Sequence, residues 1–203
     1  MYCAFGIVSA INARQSTKKG QVVETSLTSS LISLMAYLSA EYFVTDKTPK
    51  KSGNDHPILS PYGLFKTKDG NIAIAPANDK LCEIFLRTLN LEYLLEDDLY
   101  KTNSLRMINR NKLNEIINQT TELNTTDYWI KKLNESGCPA GKVLDMKEAL
   151  NDQLVEDTDM VITSDGPDDR KIKMTGFPVK LSDTPARLFR SPPKLGELSL
   201  IHI

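Results

Sequence analysis

The chain opens on an apolar run, Met1-Tyr2-Cys3-Ala4-Phe5-Gly6-Ile7-Val8-Ser9-Ala10-Ile11, that carries no capping residue. It predicts a buried helix, and its abrupt start reads as the cut edge of something longer. The polar turn Ser16-Thr17-Lys18-Lys19-Gly20 ends it, and Gln21-Val22-Val23-Glu24-Thr25 predicts a short β-branched strand. Leu27, Leu31, Leu34, Met35, Leu38 and Tyr42 then recur at helical spacing, so residues 27–44 predict one amphipathic helix. That stretch approaches membrane-spanning length. Its Thr28, Ser29, Ser30, Ser33, Ser39 and Glu41 argue instead for a helix of a soluble protein. Residues 1–11 are equally poor as a signal peptide, because no basic residue precedes them and the first, Arg14, follows.

Residues 46–57 hold Pro49, Gly53, Pro57 and three lysines with few apolar positions, the pattern of a linker. Beyond it the apolar runs 62–65 and 72–75 flank Lys66-Thr67-Lys68-Asp69-Gly70-Asn71, and Asp-Gly between such runs predicts a β-hairpin. Helices are expected over 79–89, 104–118 and 126–135, with Ser104 and Thr125 or Thr126 at the N-cap positions and Ser136-Gly137 closing the last. A strand over 141–144, a short helix over 147–150 and a second hairpin pairing 160–164 with 171–174 around Asp165-Gly166-Pro167-Asp168-Asp169 complete the periodic part. After Gly176 the chain turns Pro-rich and no solenoid repeat is present.

Composition changes this picture little. A chain of 203 residues that is 40% hydrophobic can bury a real core, roughly 70% of its unfolded surface for this size. The net charge of −1 gives no electrostatic reason to expect nucleic acid or an anionic membrane as partner. Cys3, Cys82 and Cys138 are odd in number and far apart, which fits free thiols in a reducing, cytoplasmic compartment.

The candidate chemistry is sparse. His56 and His202 are the two histidines, and no CxxC, HExxH or P-loop pattern occurs, so a catalytic metal is not expected. A hydrolytic triad would need His56 as base, and no Gly-x-Ser-x-Gly elbow is present. Ser52-Gly53-Asn54-Asp55-His56-Pro57 is the one place where glycine, a polar cluster and a histidine meet between elements. It reads either as a linker turn with His56 capping a carbonyl, or as a loop that lets backbone approach a ligand. Arg106 and Arg110 read as a solvated helix face, with a ligand phosphate as the alternative; Tyr128 and Trp129 read as core or interface anchors.

The order of short motifs goes further. Gly6-Ile7-Val8-Ser9-Ala10-Ile11, Gly20-Gln21-Val22-Val23-Glu24-Thr25-Ser26-Leu27, Gly53-Asn54-Asp55-His56-Pro57, Pro61-Tyr62-Gly63-Leu64-Phe65 and Lys68-Asp69-Gly70-Asn71-Ile72 stand in one register with Ala77-Asn78-Asp79, Asn103-Ser104-Leu105-Arg106, Gly137-Cys138-Pro139-Ala140-Gly141-Lys142-Val143, Gly176-Phe177-Pro178-Val179-Lys180-Leu181-Ser182 and Pro192-Pro193-Lys194-Leu195-Gly196-Glu197. Together they resemble the family III CoA-transferases, the group of formyl-CoA transferase, carnitine CoA-transferase and α-methylacyl-CoA racemase.

The resemblance implies an α/β fold, here the C-terminal part: residues 1–46 end a Rossmann-like large domain, 47–60 form a linker and lid-like loop, 61–175 a small α+β domain, and 176–203 a return segment. It implies transfer of coenzyme A between an acyl-CoA and a carboxylic acid, through an aspartate that forms mixed anhydrides and a thioester, with no metal. That aspartate is expected upstream of Met1, so the chain is expected to lack its nucleophile and to be inactive alone. The resemblance places Gly53, Asn54 and His56 in a mobile loop over the reacting aspartate and Leu27 near the acyl pocket, and it implies an interlocked homodimer. The single glycine of the loop departs from the richer loop of formyl-CoA transferase, which argues against an oxalate-type acceptor. An acyl-CoA racemase of the same fold is the alternative, disfavoured by Asn78 where racemases carry glutamate; a non-catalytic dimerisation and lid module is a third reading. Leu198-Ser199-Leu200-Ile201-His202-Ile203 departs from the family pattern and reads as a translated sequencing adapter, on which reading His202 is not native.

Overall fold

A computed structural model describes residues 1–166, 170–193 and 196–197. The expected adapter-like tail, 198–203, and the centre of the second hairpin loop, 167–169, lie outside the described residues.

Three helices come first: α1 (Tyr2–Thr17), α2 (Leu27–Leu34) and α3 (Tyr37–Thr45). The helix expected at the start forms, but none of its residues is buried. Its large apolar side chains, Phe5, Ile7, Val8 and Ile11 among them, are spread around the helix and stay 46–73% exposed. Residues 21–25 do not form a strand, because no described strand pairs with them and β-branched residues hold a strand only against a partner. They pack on α1 instead, where a Cβ on Gly6 would stand 2.9 Å from Val23 Cγ1. The expected single helix over 27–44 is two helices bent by 77°. The break falls at Ala36, whose φ is 45°, with no Gly or Pro to announce it. Among the described residues no single helix is long and apolar enough to cross a membrane; α2 and α3 pass by length and composition only as that bent pair.

The packed part of the molecule begins at Ser60. β1 (Gly63–Thr67) and β2 (Gly70–Ile74) form the expected hairpin, with Lys68-Asp69 as a two-residue turn and the register Phe65 to Ile72. β3 (Ala140–Lys142) pairs antiparallel on the far side of β2. Helices α4 (Asp79–Thr88), α5 (Asn103–Ile108), α6 (Arg110–Thr121) and α7 (Thr126–Glu135), with a 3-10 turn at Glu92–Leu95, cover the sheet. Phe65, Ile72, Ile74, Phe85, Leu86, Leu113, Ile117, Trp129 and Leu133 meet there as one core. The free edge of β1 is closed by side chains of α6: Lys66 N–H donates to Asn118 Oδ1 (2.8 Å), and Thr121 Oγ1 donates to the Lys66 carbonyl (2.6 Å).

The helix expected over 104–118 is interrupted at Asn109, whose Nδ2 donates to the Leu105 and Leu99 carbonyls. Such a side chain competes with the helical ladder. The cap of α5 is Thr102 rather than Ser104. The short helix α8 (Met146–Leu150) starts on a reciprocal capping box between Asp145 and Glu148, and α9 (Gln153–Asp157) on Asp152. β4 (Val161–Asp165) and β5 (Lys171–Thr175) form a separate two-stranded sheet.

Candidate functional site

The glycine loop runs directly above the first hairpin. Gly53 adopts φ 63°, a conformation that favours glycine, and the Asp55 N–H closes a turn on the Ser52 carbonyl at 3.1 Å. Gly63 of β1 must be glycine for a different reason: a Cβ there would stand 2.5 Å from Asp55 Oδ1 and 3.0 Å from the Asn54 carbonyl. The His56 N–H donates to the Tyr62 carbonyl at 2.9 Å, which fixes the loop to the residue ahead of β1.

His56 sits in an aromatic slot. Its ring stacks on Tyr37 of α3, with centroids 5.8 Å apart and planes 13° from parallel, and meets the Tyr62 ring at 4.7 Å with a tilt of 34°. Its Nδ1 accepts from the Ile58 N–H at 3.3 Å. The expectation that His56 caps a carbonyl is therefore corrected: the ring accepts an amide, and carbonyl capping in this loop falls to Arg106, Arg110 and Asn103. Partial burial and then the Arg110 guanidinium hold the imidazole below its ordinary pKa.

Arg106 and Arg110 are not a solvated face. Arg106 is 4% exposed; its Nε donates to the Ser60 carbonyl (2.6 Å), Nη1 to the Tyr100 carbonyl (3.2 Å), and Nη2 to Asp79 Oδ1 (2.6 Å). Arg110 Nη2 donates to the carbonyls of His56 (2.6 Å) and Leu59 (2.9 Å). Asn103 bridges the Ser60 N–H and the Ile58 carbonyl, and Asn114 Nδ2 reaches both oxygens of Asp55 at 3.3 and 3.4 Å. Residues 55–60 are thus tied to α5 and α6 at six points, through the planar multi-donor geometry of guanidinium and amide groups. A run such as Arg-x-x-x-Arg on a helix gives no sign in sequence that its partners are carbonyls of a loop some 50 residues earlier.

Two cavities adjoin the expected site residues. A groove of about 360 Å³ is lined by Asn54 and Tyr62 together with the small residues Gly63, Ala73, Ala140 and Gly141. A larger apolar hollow, about 660 Å³, lies between α1 and α2 and is lined by Leu27 with Met1, Phe5 and Leu34. Leu27 is 86% exposed and lines that hollow rather than the groove, so the structure gathers Gly53, Asn54 and His56 into one loop and leaves Leu27 apart from them. Asn78 is engaged as the N-cap of α4, its Oδ1 accepting from the Leu81 N–H at 2.9 Å. Cys82 and Cys138 are buried, and burial pushes both thiols up to about 11, well away from nucleophile chemistry. Among the described residues no cluster of His, Cys, Asp and Glu could hold a metal ion.

A mixed fold with a tethered glycine loop over a small antiparallel sheet matches known proteins along nearly its whole length. The sequence profile of CoA-transferase family III matches residues 1–199, and the chain belongs to that family. It is 30% identical over 197 residues to human succinyl-CoA:glutarate CoA-transferase, covering 97% of this chain and 45% of that protein. To the acetyl-CoA:oxalate CoA-transferase of Acetobacter aceti it is 29% identical over 182 residues, 90% of this chain and 45% of the relative. The crystal structure of a CAIB/BAIF family protein from Brucella suis superposes with a TM-score of 0.73 at 28% identity, covering 97% of this chain and 50% of the other. The chain spans about half the length of the curated relatives it matches. A relative named for oxalate stands beside one named for glutarate, so the expectation against an oxalate-type acceptor gains no support.

Proposed function

We propose that this chain forms part of an enzyme that moves CoA from an acyl-CoA to a carboxylic acid through an aspartyl intermediate. Covalent passage through a carboxylate divides one acyl exchange into easier steps. The observation that carries the reading is the family match across residues 1–199, with CoA-transferases among its relatives. On this reading residues 1–46 complete a large domain, 61–175 form the small one, and the loop bearing Gly53, Asn54 and His56 covers the reaction site, with Leu27 bordering the acyl chain. An interlocked homodimer in the cytoplasm is the working assembly. No Asp precedes Asp46 in the sequence, and on this reading, which follows the family resemblance, the nucleophilic aspartate is not among these residues.

The racemase alternative is weaker, because Asn78 stands where a racemase needs glutamate and its side chain is committed to capping α4. Incubating the 203-residue chain with succinyl-CoA and glutarate is expected to yield no glutaryl-CoA; measurable exchange would overturn the missing-nucleophile reading. Sequencing the coding DNA ahead of the Met1 codon is the complementary test. An in-frame Asp codon shortly upstream supports the reading, and a ribosome-binding site with a stop codon immediately upstream sinks it.

A further inference from the structure

His56 is held by four groups, and each constrains its chemistry. Tyr37 and Tyr62 fix the ring plane from α3 and from the residue ahead of β1. Arg110 of α6 binds the histidine's own carbonyl and places a positive charge beside it. The Ile58 amide points its hydrogen at Nδ1. In a neutral imidazole the nitrogen that accepts is the unprotonated one, so the proton resides on Nε2. The nearest carboxylate in sequence, Asp55, is occupied by Asn114 and does not pair with the ring. Among the described residues Nε2 has no hydrogen-bond partner, while Tyr62, in tilted contact with the ring, lines the groove together with Asn54.

A ring in this state is a poor general base, because its Nδ1 lone pair already accepts the Ile58 amide, and its Nε2–H is left to donate. We propose that His56 is locked as the neutral Nε2–H tautomer and donates a hydrogen bond to a carbonyl or carboxylate oxygen of the acyl substrate, with Arg110 as the positioning residue that fixes the loop beneath it. The ligand class rests on the transferase reading above, whereas the tautomer does not. A neutral donor suits an oxygen that passes between anion and ester-like states, because it favours developing negative charge without the desolvation cost of an imidazolium.

Long-range proton–nitrogen correlation spectra of the nitrogen-15 labelled chain test both halves, with the His56 signals assigned by their loss in His56→Gln. An unprotonated Nδ1 and a protonated Nε2, with the protonation midpoint below 6.5, are expected. An Nδ1–H tautomer, or an even mixture, overturns the lock. Arg110→Ala should raise that midpoint and mix the tautomers; an unchanged spectrum removes Arg110 from the positioning role. Glutarate is then titrated with calorimetry in parallel. Saturable movement of the Nε2 signal supports the donor role. Binding heat without that movement overturns it and leaves the transferase reading standing. The absence of both overturns the assigned ligand, while the tautomer result stands on its own.

Discussion

Residues 1–46 and the unit from Ser60 to Lys142 are both built largely of helix, yet they differ in what the helices do. In the later unit α4, α6 and α7 each turn an apolar stripe onto the β1–β2–β3 sheet, and Phe65, Phe85, Leu113 and Leu133 are removed from water. In the earlier one no residue of α1, α2 or α3 is buried, although the segment is richer in apolar side chains. Local pattern is sufficient for a helix in either place. Burial depends on a partner at long range, and among the described residues the later unit has one whereas α1, α2 and α3 bury none of their residues.

The largest expected contrast is between two phenylalanines. Phe85→Ala in the core should cost about 3–5 kcal/mol in denaturant unfolding, whereas Phe43→Ala on α3, 80% exposed, should stay within about 0.5 kcal/mol. Equal losses would remove the distinction between the units. Next is Arg106→Ala, which leaves the Ser60 and Tyr100 carbonyls without their donor and should cost about 2 kcal/mol. It should also loosen the 55–60 loop, read as faster proteolysis there; wild-type stability with an intact loop would show that the six ties are redundant.

A smaller, pH-dependent effect concerns Asp69, whose carboxylate accepts from the Thr126 N–H (2.7 Å) and Oγ1 (2.9 Å) and from Thr67 Oγ1 (3.3 Å). These bonds, the Thr126 amide first, hold its pKa below the ordinary value of 3.8. The stabilisation is present in full above that value and is lost as pH falls through the lowered one. Asp69→Asn should flatten this part of the acid unfolding curve, and an identical curve would contradict the assignment.

Much of the fold was legible, and what was missed has physical causes. The first hairpin, α4 and α7 followed from Asp69-Gly70, from apolar periodicity and from Thr125, signals that act within a few residues. The break at Ala36 and the interruption at Asn109 carry no Gly or Pro and were not legible. The strand expected at 21–25 failed because β propensity without a partner does not make a sheet. Of the candidate site, the gathering of Gly53, Asn54 and His56 in one loop between elements was legible from composition, while a role for that loop over a reaction site rests on the family resemblance. The loop's tethers were not legible, because Arg106 and Arg110 read as surface charge until the fold brings the 55–60 carbonyls to them.

Native-state hydrogen exchange on the whole chain, at a concentration where it sediments as a monomer, tests the contrast between the units most directly. Amides of α4, α6, α7 and the β1–β2 hairpin should exchange only through global unfolding, and those of α1–α3 through local opening, far sooner. Protection of α1–α3 as high as that of α6 in the monomer would contradict the account.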